Sequence, residues 1–152
     1  MKKVNYLVLI SCLIVVFLVA YIGSMFTSDS VNSDWYNSIK PAITPPNFVF
    51  PVVWTTLFVL IGLSLYLVWQ KSKNKKKIIL IYGLNFVLNI VWSYLYFGLR
   101  NPAGSFAEIF LLDASIVLMI STSWKIDKKA AWLLVPYLLW VTFAAFLNFL
   151  SI

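Results

Sequence analysis

Inside long apolar stretches, the residues able to do chemistry recur at helical spacing. Asn85, Asn89 and Ser93 stand four residues apart, with Trp92 on nearly the same helical face. Glu108 and Asp113 interrupt the next stretch; Tyr137, Trp140, Ala144 and Asn148 form a stripe at i, i+3, i+7 and i+11 of the last. Trp54 adds an indole to the stretch that begins near Phe48. Polar side chains are costly in lipid, so these groups are expected to face one another inside a bundle. Counted inward from the helix ends, Asp113 and Asn89 reach a similar depth, about 15 Å, where they could hydrogen-bond. Interhelical adhesion is favoured over a proton relay for that pair, whereas Glu108, nearer the surface, could face a wet cavity. Several aromatic rings around one cavity would suit a flat apolar ligand, although an aromatic stripe also arises from ordinary packing.

Much chemistry is excluded. The chain has no histidine, which removes zinc catalysis of the usual kind, imidazole proton transfer and histidine ligation of haem iron. No Ser-His-Asp set, phosphate-cradling glycine loop or paired-cysteine metal motif occurs, and no metal-ligating residues are assigned. Cys12 is the single cysteine, so no intrachain disulfide is possible. Any reaction must draw on the ligand's own reactivity or on Trp, Tyr and carboxylate side chains.

The elements that must position these groups follow from composition. Apolar residues make up 62% of the 152 residues, charged residues only 11%, and the mean hydropathy is +0.90. A bilayer core about 30 Å thick needs roughly 20 apolar residues per helix. Five such runs occur, at Asn5 to Phe26, Phe48 to Gln70, Ile78 to Leu99, Ala103 to Trp124 and Ala130 to Ile152. They are too long and continuous for barrel strands, so an all-α bundle of five transmembrane helices in a single domain (1–152) is expected. The first run is too long for a signal-peptide core and lacks an Ala-x-Ala site after Tyr21, so it is read as a membrane span.

The net charge of +7 does not indicate nucleic acid, because the positive residues gather at helix ends. Lys2, Lys3, Lys71, Lys73, Lys75, Lys76, Lys77, Lys125, Lys128 and Lys129 fall on one side, against Lys40 and Arg100 on the other. The positive-inside rule then puts the N-terminus in the cytoplasm and the C-terminus outside a plasma membrane. Attraction of the lysine-rich link to anionic headgroups is a further, less favoured role.

Residues 27–47 form the one long link, on the outer side. Links of that size usually bind, gate or stay disordered. Its first part, Thr27 to Asn32, is polar and expected to be mobile. Ser33 or Asn32 can cap a short helix through Trp35, Tyr36 and Ile39, which must end before Pro41. Pro41, Pro45 and Pro46 stiffen the descent into the second span, and Pro51 is tolerable near its first turn. Trp35 and Tyr36 then belong either to the aromatic belt at headgroup level or to the lid of an internal cavity. Pro136 is expected to bend the last span by leaving the Trp132 carbonyl without its donor.

The run Trp35-Tyr36-x-x-Ile39-Lys40-Pro41-x-x-Thr44-Pro45-Pro46, followed by Phe50 and Trp54-Thr55, resembles the signature of the TspO/MBR family. These are tryptophan-rich sensory proteins related to the mitochondrial translocator protein, or peripheral benzodiazepine receptor. Asn85-x-x-x-Asn89-x-x-Trp92-Ser93 with Phe97-Gly98, and Pro136-Tyr137-Leu138-x-Trp140-x-x-Phe143-Ala144-x-x-Leu147-Asn148, extend the resemblance over four spans and the loop.

The resemblance implies a five-helix membrane receptor, often homodimeric, that binds tetrapyrroles such as protoporphyrin IX and haem beneath the loop, with no required cofactor. It also implies benzodiazepine-type ligands and, for some members, light-dependent oxidative breakdown of protoporphyrin IX. Carried over by motif, Trp54 and Trp140 would do that photochemistry. Trp35, Tyr36, Pro41, Pro45, Asn89, Trp92, Tyr137 and Ala144 would contact the ligand. Transport of porphyrins or other small metabolites is the alternative function, although five helices cannot divide into equal inverted halves. Two departures stand out: Ile43 replaces the tryptophan usual before Thr-Pro-Pro, and Phe149 replaces the tyrosine of the cholesterol-type motif with no basic residue after it. Sterol binding at that place is not expected. Ala20, Ser24 and Gly62 are small enough to permit close helix contact, between protomers or within one bundle.

Overall fold

The computed structural model of the chain describes residues 4–152. Lys2 and Lys3, part of the expected charge asymmetry, lie outside the described residues. The helices are α1 (Tyr6–Thr27), the short α2 (Asp34–Ile39), α3 (Val49–Lys71), α4 (Lys75–Ser93), α5 (Pro102–Trp124) and α6 (Lys128–Leu150), with no strand among the described residues. All but α2 are long and apolar enough to cross a membrane, α4 doing so together with the turn Tyr94–Gly98 that continues it. The chain is a multi-pass membrane protein, and the observed spans differ from the expected ones by no more than three residues at either end.

The links carry the residues that start helices. Asn5 accepts from the Val8 N–H, Asn74 from Lys77, Asn101 from Gly104 and Asp127 from Lys129, each satisfying one orphan donor of a helix N-terminus. Pro102 takes the first turn of α5, where its missing N–H costs nothing. α6 runs on through Pro136 without interruption.

α5 packs most extensively on α6 and also on α4; α3 leans on α6, and α1 on α3 and α4. Buried polar bonds rivet four of these helices. Ser64 of α3 shares a hydrogen bond with the Tyr82 hydroxyl (2.8 Å) and donates to the Ala130 carbonyl of α6 (2.8 Å). The Tyr82 hydroxyl also meets Ser123 of α5 at 3.1 Å. Asn85 donates to Ser115 of α5 at 2.8 Å. Helix α1 is held differently, by packing: Gly62 lets it approach so closely that a Cβ there would stand 2.8 Å from Leu13 Cδ2 and 3.2 Å from Val16 Cγ2. Gly62 therefore serves contact within one bundle.

The expected Asp113 to Asn89 bond does not form. Asn89 donates to the Tyr137 hydroxyl at 3.0 Å, and Asp113 instead accepts from Thr142 of α6 at 3.5 Å. Equal depth fixes height in the bundle but not direction around the helix, and Asp113 points along the α5 and α6 seam. Glu108 also departs from expectation. It is buried, with neither carboxylate oxygen hydrogen-bonded, and does not line the cavity described below.

At the lysine-rich end, Lys71 Nζ lies 2.6 Å from Asp127 Oδ2. Burial alone would raise the Asp127 carboxyl, but bonds from Lys71 and from the backbone N–H groups of Lys129 and Ala130 outweigh it and hold it below its usual range.

Candidate functional site: a cavity under the loop

At the opposite end the helices part to leave a cavity of about 740 Å³ between α1, α3, the end of α4 and α6, covered by the loop. Its cover begins with α2. Ser33 caps this helix by accepting from the Tyr36 N–H at 3.2 Å, and the helix stops one residue before Lys40, ahead of Pro41. The polar segment before it is a run of turns tied back by Asn47, whose amide donates to the Val31 carbonyl and Asn32 Oδ1, both at 3.3 Å.

The α2 ring system docks on a feature absent from the sequence reading. After Ser93 the chain widens into a π-helical turn, Tyr94–Gly98, in which the Leu99 N–H reaches back to the Tyr94 carbonyl at 2.8 Å. This widening places Tyr96 and Phe97 beneath α2. Tyr36 packs on Phe97 at 5.6 Å and on Tyr96 at 6.5 Å, and Tyr96 stacks on Trp92 at 5.3 Å. Burial, with a lesser push from Tyr96, drives the Tyr36 phenol up to about 12, so it stays a neutral hydroxyl. Arg100 closes the turn at φ 50°, with its guanidinium 5.7 Å from the Trp35 ring.

The walls are aromatic. Trp54 and Phe50 of α3 and Trp140 of α6 all line the cavity; Phe50 meets Trp140 edge to face at 5.8 Å, and Trp54 meets Tyr137 the same way at 6.2 Å. The Trp140 indole N–H is buried and has no acceptor among the described residues. The polar floor is fixed from behind. Asn89 donates to the fully buried Tyr137 hydroxyl, which donates in turn to Asn85 Oδ1 at 3.2 Å. Trp92 Nε1 donates to Asn148 Oδ1 at 3.1 Å, and the Asn148 amide donates to the Pro102 carbonyl at 2.8 Å.

Of the ten residues singled out from sequence, Tyr36, Pro41, Trp54, Asn89, Trp92, Trp140 and Ala144 line this cavity. Trp35, Pro45 and Tyr137 do not. Trp35 is half-buried behind the lining, packed on Tyr96 at 6.0 Å, and Tyr137 lies beneath the surface as a support for Asn89 and Trp54. Sequence reasoning missed the wall supplied by α1, from Phe17, Ala20, Tyr21, Gly23 and Ser24. The small residues at four-residue spacing were its only signal. It also left out Asn148, although the stripe on α6 contained it.

Such a site can hold a flat, largely apolar molecule and orient it by a few polar atoms, with a volume inside the roughly 300–1,000 Å³ of ligand clefts. Among the described residues, none that lines the cavity is a His, Cys or Met, so it offers aromatic faces more than metal ligands.

Comparison with known proteins agrees with this architecture. The TspO/MBR family model matches residues 11–151. A tryptophan-rich protein TspO of Archaeoglobus fulgidus is 39% identical over 147 residues, 95% of either chain. One from Chlorobaculum tepidum is 36% identical, covering 94% of this chain and 92% of its own. The translocator protein of Ovis aries is 34% identical over 121 residues, 76% of this chain and 71% of its own. With five apolar spans and a match over nearly its whole length, the chain belongs to the TspO/MBR family, a membrane protein of the sensor and receptor kind.

Proposed function

We propose that this chain is a plasma-membrane receptor that holds a tetrapyrrole, protoporphyrin IX or haem, in the cavity under the loop. The observation that carries the reading is the cavity itself, whose aromatic walls of Trp54, Phe50, Trp92 and Trp140 suit the faces of a planar macrocycle. Tyr36 and Pro41 would cover it, and Asn89 and Asn148 would meet its polar edge. Iron is not needed for such a fit, because stacking acts on the macrocycle. In this reading the protein is a homodimer with its N-terminus in the cytoplasm and its C-terminus outside, as the lysine distribution favours. The test is a titration of detergent-solubilised protein with protoporphyrin IX in the dark. Saturable quenching and a shifted absorbance band are expected at micromolar ligand, and unchanged spectra would overturn the reading.

A second reading is favoured by the indoles of Trp54 and Trp140, which line the same cavity from α3 and α6. Trp54 and Trp140 would intercept the photoexcited pigment and promote its oxidative breakdown under light. Bleaching of bound protoporphyrin IX is then expected to slow several-fold in Trp140→Phe. Equal rates in both proteins would remove that role while leaving the receptor.

A further inference from the structure

Eight of the twelve basic residues, but only one of the five acidic ones, lie in residues 71–77 and 125–129. The other four basic and four acidic residues cancel, so the chain's entire formal charge of +7 sits at one end of the bundle. Topology asks only that lysines occupy the links on one side. The fold does more than that. The Lys71 to Asp127 ion pair, the one such pair among the described residues, joins the two links into a single surface. It also hides the surface's only carboxylate, whose side chain is 5% exposed. Lys73, Lys76, Lys77, Lys125 and Lys129 remain exposed around it. Lys75 Nζ lies 5.0 Å over the Trp69 ring and Lys128 Nζ 5.3 Å over Trp124, while Trp124 packs edge to face with the exposed Trp132 at 6.2 Å. Indoles of this kind settle at headgroup level, so the ammonium groups above them stand in the phosphate layer.

We propose that this lysine-rich end is a docking surface for anionic phospholipid headgroups, with the two links together gripping the phosphate of a phosphatidylglycerol-type lipid. Charge complementarity selects the partner: clustered ammonium groups beside a membrane face attract acidic lipids, by up to roughly fivefold in affinity per lysine. The bilayer supplies the headgroup at the right height, which a soluble polyanion would have to reach from outside.

The test uses the full chain in a neutral detergent, titrated with phosphatidylglycerol or with phosphatidylcholine of the same acyl chains. Bound lipid is counted by native mass spectrometry, and thermal unfolding is followed in parallel. One or a few phosphatidylglycerol molecules are expected to be retained at least tenfold more strongly than phosphatidylcholine. The accompanying thermal stabilisation should vanish in about 1 M salt, where the Debye length is only about 3 Å. A variant with Lys73, Lys76, Lys77, Lys125 and Lys129 all changed to Gln should lose the preference, whereas the same five changed to Arg, and Lys40→Gln at the far end, should keep it. Equal retention of the two lipids, or a preference untouched by salt, overturns the proposal using the unaltered chain alone. Equal protection by inorganic phosphate would make this a free-anion site, and stronger competition by poly-glutamate would assign it to an acidic protein; either refutes lipid docking.

Discussion

Tyr137→Phe removes one oxygen atom from the centre of the bundle. The hydroxyl is fully buried, accepts from Asn89 Nδ2 at 3.0 Å and donates to Asn85 Oδ1 at 3.2 Å, so two interhelical bonds are lost together. Such bonds in membrane bundles contribute about 0.6 kcal/mol on average and up to about 1.7 each. Leaving two amide atoms unpaired in a dry interior adds further cost, although Asn85 keeps its bond to Ser115. The sum is a loss of about 2–3 kcal/mol. The phenyl ring remains to pack against Trp54, so the cavity wall should keep its shape. Reversible unfolding in mixed micelles, followed by circular dichroism, gives the stability change; a protoporphyrin IX titration of the same variant gives the ligand effect. Stability should fall as stated, with affinity changed less than about threefold. A stability loss under about 0.5 kcal/mol would refute the claim that this hydroxyl ties α4 to α6. A tenfold affinity loss at unchanged stability would show instead that Tyr137 touches the ligand.

Other perturbations test other parts. Gly62→Val drives new methyl groups into Leu13 and Val16, so unfolding should become easier by about 1–3 kcal/mol, and a neutral result would mean that α1 and α3 are not in close contact there. Asp127→Asn should cost about 1 kcal/mol near pH 7, a modest figure because Lys71 is 55% exposed and its pairing is screened. The Asp127 carboxyl is held below its usual range, so its contribution is present above the unfolded value, about 3.9, and is lost as pH falls through the folded one. The stability gap between wild type and Asp127→Asn should therefore close in acid, and a gap that widens there would contradict the pairing. Because the described residues put no His, Cys or Met in the cavity lining, protoporphyrin IX and haem should bind within about threefold of each other. A tenfold preference for haem in equilibrium titrations would point to an iron ligand among the cavity tyrosines.

The spans were legible because lipid permits no other solution: unbroken apolar runs of this length have only helices to form. Helix α2 was legible for a local reason, with Ser33 to start it and Pro41 to stop it. What faces what was harder to read. Trp35 and Tyr36 look equivalent in sequence, but neighbours on a helix point about 100° apart, so only one of them faces the cavity. Asp113 and Asn89 share a depth and not a direction, and they found different partners for that reason. The π turn was invisible. No residue type demands it, and only its result, two rings brought under α2, shows what it does.

The cavity exists because two kinds of adhesion act at different heights. In a bilayer the lipid is as apolar as the helices, so no hydrophobic pressure collapses a gap between them, and helices stay where specific contacts hold them. Hydrogen bonds from Tyr82, Asn85, Asn89 and Asn148 pin α4, α5 and α6 to one another along their length. By contrast, among the described residues α1 is tied to the other spans by a single hydrogen bond, from the N–H of its cap Asn5 to the Tyr66 hydroxyl at 3.2 Å, far from the loop. Its tight contact with α3 also lies below the cavity, at Gly62. Above that contact α1 leans only on α4 and the π turn, with Phe26 against Tyr94 at 5.3 Å, and stands away from Trp54 and Trp140; the space between is the site. The same argument makes α1 the wall most able to move: hydrogen exchange at Ala20 to Ser24 should be faster than at Asn85 to Asn89 and should slow when a ligand fills the cavity. Equal protection of the two segments in the ligand-free protein would show that packing on α4 and the π turn alone holds α1 in place.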